Sequence, residues 1–199
     1  LVVCPVSVKW NWRRELMASG VPEEDIVVID GPRGRRADLF TQVPSARVCI
    51  INYDLFPWLA DPQKKALRSF AKEAMLCLDE SHYIKDRTAK RTVFAQSLEA
   101  PAVICMTGTP IYNTSSDLYT QITMLADVWS NWFEFQDSYL IMGEMNLPGG
   151  KRKKIVVGTK NEQKLNEIVD CYQIRRLKSE GGGLPPKVHT RHELDMDTH

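Results

Sequence analysis

Asp79 and Glu80 are adjacent carboxylates that follow directly on the apolar run Met75-Leu76-Cys77-Leu78 and lead into Ser81-His82. Two side-by-side carboxylates repel each other, so a fold that sets them at a strand tip usually supplies a cation or a polarised water. One chemistry that uses such a pair is phosphoryl transfer. Asp79 would serve a magnesium ion, directly or through its water, and Glu80 the water that attacks a nucleotide γ-phosphate. On its own the octapeptide fits an ordinary strand end with a solvated Asp-Glu pair about equally well.

The elements that must position these groups are legible as apolar runs. Met75 to Leu78 shows no period-two alternation, the pattern of a strand buried on both faces. In open α/β sheets the carboxyl ends of such strands face the ligand crevice. Similar runs are Leu1 to Cys4, ended by Pro5, then Ile26 to Ile29, Val48 to Ile51 and Ala102 to Met106, the last ending in Thr107-Gly108-Thr109-Pro110. Helical spacing falls between them. Ser7 stands where a cap is wanted, ahead of a helix with Trp12 and Leu16 on one face and Arg13 and Arg14 on the other, stopped by Gly20-Val21-Pro22. Further helices are expected from Arg33 to Phe40, from Asp61-Pro62 with Ala66, Phe70 and Ala74 on one stripe, over Thr88 to Leu98, and from Ser116-Asp117 through Leu125. Alternating short strands and helices predict an α/β fold: a parallel sheet flanked by helices, with right-handed crossovers.

After Leu125 the character changes. Trp129 to Phe135 is aromatic and aperiodic, Gly149 to Lys154 reads as a flexible basic tip, and Asn161 to Tyr172 is helical with Leu165, Ile168, Val169 and Tyr172 on one stripe. The expected organisation is a sheet domain over 1–127, an aromatic and basic insertion with a helical protrusion over 128–172, and a linker over 173–199. The triple glycine and Leu184-Pro185-Pro186-Lys187 mark that linker.

Composition narrows the classes. The 199 residues are 43% hydrophobic, enough for a full core. The net charge of +1, from 26 basic and 25 acidic residues, excludes a strongly basic coat or an acidic tail, so any DNA contact must come from local clusters. Cys4, Cys49, Cys77, Cys105 and Cys171 lack CxxC spacing and read as reduced thiols of an intracellular protein. No apolar run approaches ~18 residues, so no membrane partner is expected. The chain opens without Met on what reads as a strand, which suggests a preceding portion.

Taken together, the segments resemble the first RecA-like lobe, of P-loop NTPase type, of the Swi/Snf-type ATP-dependent DNA translocases, a branch of helicase superfamily two. Val2-Val3-Cys4-Pro5 with Trp12 and Glu15 is similar to that family's motif Ia, and Ile51-Asn52-Tyr53-Asp54 to its motif Ib. Leu78 to His82 with Ile84-Lys85-Asp86 is similar to motif II. Met106 to Ile111 with Asn113 and Asp117-Leu118-Tyr119 is similar to motif III. Ser81 stands where the family more often has Ala or Gly, Asn52 where it often has Ser or Thr, and Asp86 where Asn is usual.

The resemblance implies ATP and Mg2+ as cofactors, with Asp79 on magnesium, Glu80 on the attacking water and His82 coupling the nucleotide to motif III. Thr107, Gly108 and Thr109 would sense the γ-phosphate. It further implies double-stranded DNA and a second RecA-like lobe as partners. Pro5, Ser7, Trp12, Tyr53, Lys85 and Asn113 would line or shape the DNA groove. The location would be the nucleus of a eukaryote, or the cytoplasm and nucleoid of a prokaryote. Among the basic clusters, Lys151, Arg152, Lys153 and Lys154 are the strongest expectation for phosphate contact.

No GK[ST] phosphate loop is present. Gly149-Gly150-Lys151 fails because Met145 and Arg152 stand where Gly and Ser or Thr are needed, so these 199 residues alone are expected to hydrolyse ATP poorly or not at all. Two alternatives are a nucleic-acid-binding scaffold that lost hydrolysis and an RNA-directed helicase of the same superfamily. His189, His192 and Glu193 have no cysteine nearby and do not point to a metal site.

Overall fold

The computed structural model describes residues 1–109, 114–146, 148 and 150–176. Five parallel strands form one sheet in the order β2-β3-β1-β4-β5. They are β1 (Val2–Cys4), β2 (Ile26–Val28), β3 (Val48–Asn52), β4 (Met75–Asp79) and β5 (Ala102–Met106). The register sets Val3 against both Ile51 and Leu78, and Asp79 against Met106. The polar residues at or just past the ends of β3, β4 and β5, namely Asn52, Asp79 and Thr107, therefore emerge along one edge.

Alternation along the strands divides the core into two layers. Val3, Ile51, Leu76 and Leu78 face a layer built from Phe40, Leu67, Ala71, Phe94, Ala95 and Leu98. Those residues come from α2 (Arg33–Gln42), α3 (Asp61–Lys72) and α4 (Lys90–Gln96), with Leu98 just beyond α4. On the opposite face Val2, Cys4, Ile26, Val28 and Ile50 are covered by Trp12 and Leu16 of α1 (Lys9–Ala18). Each fully buried aliphatic side chain contributes about 1.5–3 kcal/mol.

Several boundaries differ from the sequence expectation, each for a local reason. Ser7 caps nothing: it lies in a short turn over Val6–Val8 that makes no side-chain cap bond. The start of α1 is fixed by Lys9, buried, whose Nζ donates to the Ile29 carbonyl at 3.1 Å and to Asp30 Oδ1 at 2.6 Å. α4 begins two residues after Thr88, because Asp86 Oδ1 accepts from the Thr88 amide at 2.9 Å and from its hydroxyl at 2.7 Å. That side-chain turn competes with the helical one. α3 stops at Lys72, so Ala74 lies outside it.

The segment expected as a helical protrusion contains a β-hairpin between two helices. After α5 (Asp117–Leu125) come α6 (Trp132–Tyr139), the antiparallel strands β6 (Leu140–Asn146) and β7 (Arg152–Thr159), and α7 (Glu162–Tyr172). Asn131 caps α6, accepting from the Phe133 and Glu134 amides. Leu118 and Ile122 of α5 join Trp129, Phe135, Tyr139, Leu140, Leu165 and Val169 in a second core. Residues 177–199 of the linker expected over 173–199, with His189, His192 and Glu193, lie outside the described residues, as does Asn113. No helix among the described residues is long and apolar enough to cross a membrane.

Candidate active site

Asp79 is the last residue of β4, and it is held from two sides. The indole N–H of Trp12 donates to Asp79 Oδ2 at 2.8 Å, and the Tyr53 hydroxyl donates to the Asp79 carbonyl at 2.8 Å. Glu80 follows in a left-handed conformation, φ 51° and ψ 52°. For a residue with a Cβ that geometry costs roughly 1–2 kcal/mol, and such strain gathers at functional sites. The turn Ser81–Ile84 closes behind it, with the Tyr83 amide on the Glu80 carbonyl at 2.9 Å.

The left-handed turn aims Glu80 at the tip of β5. Its Oε2 lies 3.1 Å from His82 Nδ1, and the Thr107 hydroxyl donates to the same oxygen at 3.4 Å. His82 Nδ1 is also 3.2 Å from Thr107 Oγ1, and the Thr109 amide donates to that hydroxyl at 3.1 Å. Glu80, His82 and Thr107 thus form a closed triangle across two neighbouring strand tips. Among the described residues, a Cβ at Gly108 would meet nothing within 4 Å.

Behind the tips the sheet is chemically quiet. Burial, reinforced by the Asp79 charge, pushes the Cys4 thiol up to about 12 and Cys77 to about 11. Burial likewise lifts Cys105 to about 12 and raises the Tyr53 phenol far above its usual range. These groups stay neutral, and none is a thiolate nucleophile.

The donors Asp79, Glu80 and Thr107 are hard oxygens, which suits Mg2+. Among the described residues no three His, Cys, Asp or Glu side chains converge as a metal cage.

The remaining sequence candidates separate. Tyr53 is fully buried and stacked on Tyr83 with ring centroids 5.3 Å apart, and its hydroxyl meets the Asp79 carbonyl. Trp12, expected at the groove, instead turns its indole N–H to Asp79. Pro5 and Lys85 are half-buried, and Ser7 is exposed. Lys151, Arg152, Lys153 and Lys154 are exposed at the hairpin, on the turn and the start of β7. Arg152 is paired with Glu144 at 3.3 Å.

Sequence reasoning missed three contacts: Trp12 on Asp79, Ser81 on Gln121, and the Arg87 guanidinium over the Trp132 ring at 4.7 Å. Only Ser81 carried a signal, as a polar residue where the resembled family favours Ala or Gly.

A model of the SNF2-related domain matches residues 1–199. The chain is 31% identical over 203 residues to the DNA annealing helicase and endonuclease ZRANB3 of Mus musculus, covering 98% of this chain and 18% of that protein. It is 25% identical over 207 residues to the ISWI chromatin-remodeling complex ATPase ISW2 of Saccharomyces cerevisiae, covering 98% and 16% respectively. This chain therefore spans less than a fifth of either relative. The fold resembles the Sulfolobus solfataricus SWI2/SNF2 ATPase core solved in complex with dsDNA, with a TM-score of 0.65 at 22% identity, over 92% of this chain and 35% of that one. With the parallel sheet, the Asp-Glu strand tip and the matched threonine tip in place, the chain belongs to the SNF2-related domain family.

Proposed function

We propose that this chain is the first RecA-like lobe of a motor that couples ATP hydrolysis to movement along double-stranded DNA. The observation that carries the reading is the Glu80–His82–Thr107 triangle, which joins the candidate hydrolytic carboxylate to the neighbouring strand tip. A bound Mg2+ would neutralise phosphate charge and orient the γ-phosphate.

Asp79 would hold that cation, its carboxylate oriented by Trp12. Glu80 accepts a proton bond from the attacking water and fixes its direction. Phosphoryl transfer needs positioning more than covalent help, so a rigid carboxylate is the relevant contribution. His82 and Thr107 share the Glu80 oxygen, so a shift at one tip changes the hydrogen bonds of the other. Thr107, Gly108 and Thr109 would report the nucleotide state in this way. Pro5, Ser7, Lys85, Asn113 and the basic hairpin Lys151, Arg152, Lys153 and Lys154 would meet the DNA backbone. A phosphate loop and a second lobe complete the site, and the protein works wherever the cell keeps its DNA.

The test is steady-state ATP hydrolysis, with and without duplex DNA, by a polypeptide holding this chain together with a phosphate loop and second lobe. Duplex-stimulated turnover that Glu80→Gln abolishes is expected. Duplex binding without any turnover in the wild type would replace the motor with a scaffolding module.

A further inference from the structure

Glu80 occupies a strained conformation, and its neighbours on both sides are anchored. On one side the Tyr53 hydroxyl holds the Asp79 carbonyl. On the other, Ser81 is fully buried and its hydroxyl donates to Gln121 Oε1 at 2.7 Å. Gln121 is itself only 5% exposed, and its Nε2 donates to the Asp117 carbonyl at 3.2 Å, one turn back on α5. That second bond orients the amide with its oxygen toward Ser81. The same helix gives Leu118 and Ile122 to the aromatic core, so Gln121 is fixed by packing on both sides.

A buried hydroxyl-amide pair is not needed to fill space, because an apolar pair of similar size packs about as well without desolvating two polar groups. What the hydrogen bond adds is direction. We propose that Ser81 and Gln121 are positioning residues that act as one unit, pinning the left-handed turn so that Glu80 faces the tip of β5. The proposal rests on the reading that Glu80 orients the attacking water.

Ser81→Ala, Gln121→Met and the double variant would be compared in the two-lobe protein, after melting curves establish that each is folded. Duplex-stimulated kcat is expected to fall about tenfold in each single variant, with KM for ATP nearly unchanged. The double variant should lose no more than either single one, since both remove the same contact. Amide hydrogen exchange gives a second readout, because the Tyr83 amide closes the turn on the Glu80 carbonyl. Its exchange should quicken in all three variants. Unchanged kcat in folded variants, losses that multiply in the double variant, or unchanged Tyr83 protection would each overturn the proposal. A wild type without duplex-stimulated turnover would instead sink the motor reading, and Tyr83 exchange would still decide the role of the pair.

Discussion

Trp12 and Asp79 are 67 residues apart in sequence, yet the indole N–H of one donates to the carboxylate of the other at 2.8 Å. The bond fixes which oxygen of Asp79 faces the protein. Hydrogen bonds that orient a metal-binding carboxylate are worth about 10–100-fold in metal affinity. Trp12→Phe keeps the ring and loses the donor. In the two-lobe protein, the Mg2+ concentration for half-maximal ATP turnover should rise about tenfold or more. An unchanged Mg2+ dependence would detach Trp12 from the cation site.

Lys9 and Asp30 tie α1 to the end of β2. The Lys9 ammonium donates to Asp30 and holds its carboxyl below the ordinary carboxylate range. A carboxyl with a depressed folded pKa stabilises above its unfolded value, about 3.9, and that contribution fades as pH falls through the lowered folded value. Asp30→Asn should cost about 1–2 kcal/mol at pH 7, read from urea unfolding. The gap between variant and wild type should narrow below about pH 4. A gap that stays constant down to pH 2 would show that the charge is not what matters.

Gly143 pairs with Ile155 beside the irregularity between Ile141 and Met142 in the hairpin. A Cβ there would lie 2.6 Å from Val157 Cγ1, and the β-branched valine has few rotamers to escape into. Gly143→Ala should lower stability by about 1–3 kcal/mol. Adding Val157→Ala should recover most of the loss, as measured by thermal melting. If the second substitution deepens the loss, the clash is elsewhere.

The basic hairpin makes a prediction about salt. If Lys151, Lys153 and Lys154 each neutralise a DNA phosphate, replacing all three with Gln lowers the slope of log K against log salt by about 0.9 per contact. Arg152, already paired with Glu144, should contribute least. Duplex binding with the parent slope would remove the hairpin from the footprint.

The sheet was legible because all five strands carry unbroken apolar runs, although only β1 to β3 are buried on both faces and β4 and β5 leave Met75 and Ile104 exposed. The candidate carboxylates were legible because they end one of those runs. The hairpin was not: Arg152-Lys153-Lys154 reads as a solvated tip until the pairing of Lys154 with Glu144 across the strands is known. The late start of α4 was hidden for a different reason, since an Asp two residues before a Thr is compatible with either a helix or a side-chain turn. Tyr53 stands at a polar strand end and was expected to line or shape the DNA groove, yet it is fully buried and packs against Tyr83 and Phe56. Contacts such as Trp12 on Asp79 depend on how separate strands align, which local pattern does not encode.

The left-handed backbone of Glu80 also bears on how this domain tolerates engineering. Glycine is the residue that conformation favours, so a screen for thermal robustness alone would be drawn to Glu80→Gly and would discard the carboxylate. With Glu80 as the proposed hydrolytic carboxylate, selection for heat resistance and selection for turnover would pull in opposite directions at this one position.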